Sequence, residues 1–220
     1  MKTAYLAILG SVSIAAPAAA DLMNLLNYNL TGAAGNEALW GGIGGSNVSP
    51  LDLVRGSGLT PSAAANSFTA SGWTGQATDY FSFGFIVDDE FIVDLASLSI
   101  GTRSSGTGPG TIGVYYSGDN FTTALGTITQ GSGTNVNTVI DLSSLTNLTG
   151  VVEFRLRAIG TNSAGGGTTA STGTFRVTNY FENSVNQNGF YVIGSVSAIP
   201  APGAIALLGI AGALGTRRRR

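Results

Sequence analysis

Asp88, Asp89 and Glu90 stand side by side in this chain, with Asp94 four residues further on. Clustered oxygen ligands of this kind suit a hard cation such as Ca2+, which many extracellular modules hold at low affinity. The glycine and the ligand spacing of a calcium loop are missing. The three acids therefore read as a solvated turn between two strands, with Ca2+ the one cofactor left open. A second chemistry is stacking on sugar rings, which flat amphipathic side chains can provide. Trp40 lies in the glycine-rich stretch "WGGIGGSN", and Tyr115 points outward by alternation from Val114 and Tyr116. These two are the candidate glycan contacts, while Trp73 reads as packing. A third chemistry is glycoside hydrolysis, which needs two carboxylates ~5–9 Å apart across a cleft. Glu37, Glu90, Glu153 and Glu182 are available, but no motif pairs them. Glu153 alternates with Arg155 and Arg157, and charge pairing on a solvent face accounts for all three.

What the chain lacks narrows the chemistry further. It has no cysteine and no histidine. Thiolate and imidazole nucleophiles, Ser-His-Asp triads and His- or Cys-ligated zinc are thereby excluded. Of the 10 basic residues, Lys2 and Arg217–Arg220 lie at the ends. The interior keeps Arg55, Arg103, Arg155, Arg157 and Arg176 against all 12 acids, a net charge of −7. An acidic body of this kind repels a phosphate backbone, so nucleic acid is not an expected partner.

The elements that must position these residues are strands. "YFSFGFIV" places Phe81, Phe83, Phe85 and Val87 on one face, a period of two. "VVEFRLRAI" turns Val152, Phe154, Leu156 and Ala158 inward and Glu153, Arg155 and Arg157 outward. "FIVDLASLSI", "TIGVYYS", "NVNTVIDL", "TFRVTNY" and "GFYVIGSV" extend the series. The connections "TRSSGTGPGT", "SGDN", "QGSGTN" and "TNSAGGGTTASTG" have loop composition. Residues 22–70 are less regular: "LLNYNL" reads as a first strand, "WGGIGGSN" as a long loop, and "PSAAANSF" as room for one helical turn. Asn29, Asn120 and Asn147 begin N-x-Thr triplets and read as turn residues. Short strands with no intervening helices predict an all-β, antiparallel sandwich of jelly-roll type over residues 21–197.

Both ends read as delivery signals. Lys2 precedes an apolar run, and Ala18-Ala19-Ala20 offers a small-residue cleavage site before Asp21. That is the pattern of a secretory signal peptide over residues 1–20, cut by signal peptidase. At the other end, residues 198–220 combine Pro200 and Pro202, an apolar stretch from Ala204 to Gly215, and Arg217, Arg218, Arg219 and Arg220. A dozen helical residues reach about 18 Å against a hydrocarbon core of about 30 Å. The tail thus forms a marginal transmembrane helix, with its arginines retained on the cytoplasmic side.

This tail resembles the PEP-CTERM sorting signal of Gram-negative bacteria over Ile199–Arg220. Its Pro-x-Pro is Pro200-Ala201-Pro202, with Ala201 where relatives usually carry Glu. The resemblance implies processing by an exosortase-type membrane protease, transient anchoring in the inner membrane, and delivery to the cell surface of an exopolysaccharide-producing cell. The interior is similar to the β-sandwich domain common in such proteins, through "RGSGLTPSAAANSFTASGWTG", "DYFSFGF", "VDLASLSIGTRSSGTGP", "VYYSGDNFTTAL", "LTNLTGVVEFRLRAIG" and "TGTFRVTNYFENSV". Thr178 stands where relatives usually have Asp. The expected function is that of an exported, non-enzymatic surface or matrix protein with a structural or adhesive role. The alternative is a carbohydrate-binding module for exopolysaccharide or another glycan.

Overall fold

The computed structural model describes residues 21–179, 181–182, 185–186 and 189–199. The signal segment at 1–20, the Pro200-Ala201-Pro202 motif, the apolar tail and Arg217–Arg220 lie outside the described residues. The first half of the chain forms β1 (Met23–Tyr28), β2 (Leu39–Trp40), β3 (Ile43–Gly44), β4 (Val48–Arg55), β5 (Thr60–Pro61), β6 (Ser67–Ser71), β7 (Tyr80–Val87) and β8 (Phe91–Ser104). The second half forms β9 (Thr111–Tyr116), β10 (Ala124–Thr129), β11 (Asn135–Asp141), β12 (Val151–Ala158), β13 (Phe175–Thr178), β14 (Phe181–Glu182), β15 (Val185–Asn186) and β16 (Phe190–Ala198). Among the described residues there is no α-helix, only a short 3-10 turn at Ser117–Asp119.

Two antiparallel sheets carry the fold. The first runs β3-β1-β16-β8-β13-β6-β5, with β11 on the other edge of β8. The second runs β10-β9-β12-β7-β4-β2. Their inner faces meet through aromatic rings. Phe83 of β7 packs edge-on against Tyr28 of β1 and Phe190 of β16, and Phe81 packs against Phe68 of β6 and Phe175 of β13. Phe81, Phe83, Phe85, Val152, Phe154 and Leu156 are fully or almost fully buried. The alternation in "YFSFGFIV" and "VVEFRLRAI" therefore faces as expected, each buried side chain contributing about 1.5–3 kcal/mol. Tyr28 also crosses between sheets: its hydroxyl donates to the Leu51 carbonyl of β4 and accepts from the Gly84 amide of β7. Burial pushes its ionisation well above the usual phenol range, so it stays a donor.

Three expectations are corrected. Residues 22–70 hold more strand than their pattern shows, because β4 contains Pro50 and two breaks in alternation. Proline is tolerated there since β2 pairs with β4 only at Leu53 and Val54, leaving the far edge of Pro50 free. "PSAAANSF" forms no helical turn; Asn66 takes a left-handed conformation and leads straight into β6. "TRSSGTGPGT" is not loop from its start, since β8 continues through Thr102, Arg103 and Ser104. Thr102 and Ser104 face inward and are fully buried, satisfied by Gln130 Nε2 and the Thr174 carbonyl. Polar residues at core positions hid this end of the strand.

Candidate functional site

The outer face of the six-stranded sheet gathers the side chains that could bind a ligand. On β12, Glu153, Arg155 and Arg157 stand in a row, as period two requires. Register places Tyr80, Ser82 and Gly84 of β7 opposite Arg157, Arg155 and Glu153. On the other side β9 places Tyr115 opposite Arg155 and Gly113 opposite Arg157. The Tyr115 ring leans over Gly113, where an added Cβ would meet it at 2.8 Å. Glycine at that position keeps the floor of the sheet low enough for the ring to lie across it.

The charges on this face are tied to rings. Arg155 Nε donates to Glu153 Oε1 at 2.9 Å, and both side chains are about a quarter exposed. The Arg155 guanidinium lies 4.2 Å from the Tyr80 ring centroid and 3.8 Å from that of Phe121. Arg157 stands 5.3 Å from the Tyr115 ring. A cation over an aromatic face gains about 0.5–1 kcal/mol at such partly exposed places.

Phe121 reaches this face through an unusual turn. After Ser117–Asp119, both Asn120 and Phe121 have φ of 57°. That conformation is common for Asn but costs a bulky aromatic about 1–3 kcal/mol. Asp119 holds the turn by accepting the Thr122 and Thr123 amides. Against desolvation, these bonds and the threonine hydroxyls keep its carboxyl below the usual range. Sequence reasoning missed Phe121 because "SGDNFTT" has no period to read. The backbone alone turns its ring onto Arg155.

The two aromatic residues singled out by sequence do not come together. Tyr115 is on the outer face. Trp40 pairs with the buried Leu53 and packs against the core, with Nε1 donating to the Asn29 carbonyl at 3.0 Å. They are also four strands apart in the sheet order, about 19 Å at the usual spacing. Trp73 is 1 % exposed, in the core. Asp88, Asp89 and Glu90 form an exposed turn in which the Phe91 amide bonds to the Asp88 carbonyl. Asp94 is turned away to accept the Asn147 amide. Among the described residues no group of three Asp, Glu, His or Cys side chains could hold a metal ion. Glu37 accepts the Ala34 and Gly35 amides in a surface loop, Glu90 is exposed in its turn and Glu153 is paired with Arg155.

Chemically, the outer face offers guanidinium donors, a carboxylate acceptor and ring surfaces within one stretch of three strands. That combination serves polyols, whose hydroxyls need both donors and acceptors and whose C–H faces rest on rings.

No protein-family model matches this chain, and neither does any curated protein. Among solved structures, a mutant of CBM29-2, a family 29 carbohydrate binding module, is similar to it with a TM-score of 0.37 and 12 % identity, over 77 % of this chain and 91 % of that one. At that level the likeness carries no argument about function.

Proposed function

We propose that this chain is an exported, non-catalytic carbohydrate-binding β-sandwich that holds its glycan on the outer face of β9, β12 and β7. The carrying observation is the row Glu153, Arg155 and Arg157, flanked by Tyr80, Tyr115 and Phe121, with Phe121 kept in a costly left-handed conformation to complete it. Strain of this kind persists where surrounding structure demands it, and it is enriched at ligand sites. The expected structural or adhesive role follows from the same face: a surface protein that grips exopolysaccharide is held in the matrix.

Glycan-array binding and affinity electrophoresis on polysaccharide gels test this reading. Wild-type protein is retarded by at least one polysaccharide. Arg155→Gln, which releases Glu153 and both rings, weakens retention about tenfold or more, the loss expected for one charge-assisted contact with its stacking. Tyr115→Ala weakens it to a similar extent. Wild-type protein that binds no glycan, or an Arg155→Gln variant that binds as well as wild type, refutes the reading.

Delivery belongs to the same proposal. The signal peptide at 1–20 and the sorting tail at Ile199–Arg220 bring the sandwich to the cell surface, where the tail is removed by an exosortase-type protease. Intact mass of the native surface protein should correspond to a chain that starts at Asp21 and lacks Arg217–Arg220. A mass that includes Arg220 makes the tail a permanent anchor.

A further inference from the structure

The other sheet carries a cleft of about 380 Å³ that the proposed glycan face does not use. It lies at the end of β8, beside β13 and the loop that precedes β11. Its lining includes Arg103, Arg176, Ser105, Ser132, Gly133 and Thr174. Arg103 and Arg176 are directly opposite each other across the β8–β13 ladder, so their side chains leave the sheet on the same face. Like charges in that relation destabilise a sheet.

Nothing among the described residues compensates them. Neither arginine forms a hydrogen bond or an ion pair there, and no carboxylate lines the cleft. The Nε of Arg176 is buried with no acceptor. Desolvation and then the charge of Arg103 lower the Arg176 pKa, both signs of a cation lacking its counter-ion. This occurs in a domain whose five arginines face twelve acids. The other three arginines are all engaged: Arg55 by carbonyls, Arg155 by Glu153, and Arg157 by the Tyr115 ring. A pair left open amid excess negative charge is arranged for an anion from outside. Gly133, in a left-handed turn with φ of 64°, lies at the mouth beside the Arg103 guanidinium. Ser132 adds a hydroxyl that is free among the described residues.

We propose that the Arg103–Arg176 cleft is a binding site for a small oxyanion, a carboxylate or sulfate group. Two guanidinium forks on adjacent strands match the two or three oxygens of such a group and cancel the repulsion between them. Attributing the oxyanion to an acidic polysaccharide rests on the glycan reading above, whereas binding of the bare ion does not.

The test follows the amide signals of Ser105, Ser132 and Gly133 in the full-length protein. One arm titrates sodium sulfate and the other sodium glucuronate, both against chloride at constant ionic strength. Saturable shifts in either arm are expected, with sulfate alone marking sulfate esters and glucuronate alone marking uronates as the source. Arg103→Gln and Arg176→Gln each weaken the binding about tenfold or more, and either variant suffices if the other does not fold. Absence of saturation in both arms up to tens of millimolar, or unchanged affinity in the variants, overturns the proposal. Inorganic sulfate carries no sugar, so this result is independent of glycan retention on the other sheet.

Discussion

Trp73→Ala lowers the stability of the protein by about 3–5 kcal/mol, the range for truncating a fully buried large aromatic. The indole sits between the sheets, 1 % exposed. It meets Phe81 of β7 at 5.1 Å and Phe175 of β13 at 5.3 Å, both edge-to-face. Deleting it opens a cavity where the sheets are joined, and partial collapse cannot refill the space because rings from both sheets border it. It also removes the hydrogen bond from Nε1 to the Ala70 carbonyl at 2.9 Å. Against a typical total of about 5–15 kcal/mol, this is about a fifth or more of the stability. Urea unfolding followed by circular dichroism measures it. Trp73→Phe retains ring contacts and loses less, about 1–2 kcal/mol from the missing N–H and the smaller volume. An unchanged midpoint for Trp73→Ala contradicts this account of the core.

The second large effect comes from a half-buried charge. Arg55 lies under the edge of the second sheet, 3.6 Å from the Phe68 ring centroid. Its Nε donates to the Thr69 carbonyl, its Nη1 to that of Glu37 and its Nη2 to that of Gly35. One side chain thereby ties β4, β6 and the loop at residues 35–37 together. Desolvation pushes its pKa down to about 10, with the Glu37 charge acting back upward, so it remains cationic at neutral pH. Arg55→Met keeps volume and stacking but strands the Glu37 carbonyl and removes one of two hydrogen bonds from each of the Thr69 and Gly35 carbonyls, which keep the Ser62 and Thr69 amides. The expected loss is about 3 kcal/mol, from ~1–3 kcal/mol for the one carbonyl left unsatisfied and ~0.5–1.5 kcal/mol for each of the two other hydrogen bonds removed. Arg55→Lys is nearly as damaging, since an ammonium cannot present a planar fork to three acceptors. Denaturant midpoints test both variants. A lysine variant as stable as wild type shows that charge alone suffices and removes the geometric argument.

Some of this protein was legible before any coordinates. The alternation of Phe81, Phe83 and Phe85, and of Phe154 and Leu156 between charged neighbours, states the inner and outer face of β7 and β12 directly. The side-chain period of a strand is a local property, and one buried face makes it readable. Composition alone removed thiol and imidazole chemistry. The delivery signals proposed for both ends rest on linear features alone, runs of apolar and basic residues outside the described part of the chain.

Neighbourhood was decided only by the tertiary structure. Strand alternation put Tyr115 outward, but the sheet order separates it from Trp40 and joins it to Arg155 and Tyr80. Phe121 belongs to that face through two consecutive left-handed residues, which no apolar period announces. Arg103 read as the start of a loop, yet the buried Thr102 and Ser104 on either side carry it onto the sheet. Arg176 then stands opposite it because β13 pairs with that end of β8. The physical reason is common to all three. A strand's own sequence sets which side chains share a face, while which faces adjoin depends on pairing between segments far apart in the chain. That pairing is chosen by the packing of the whole core.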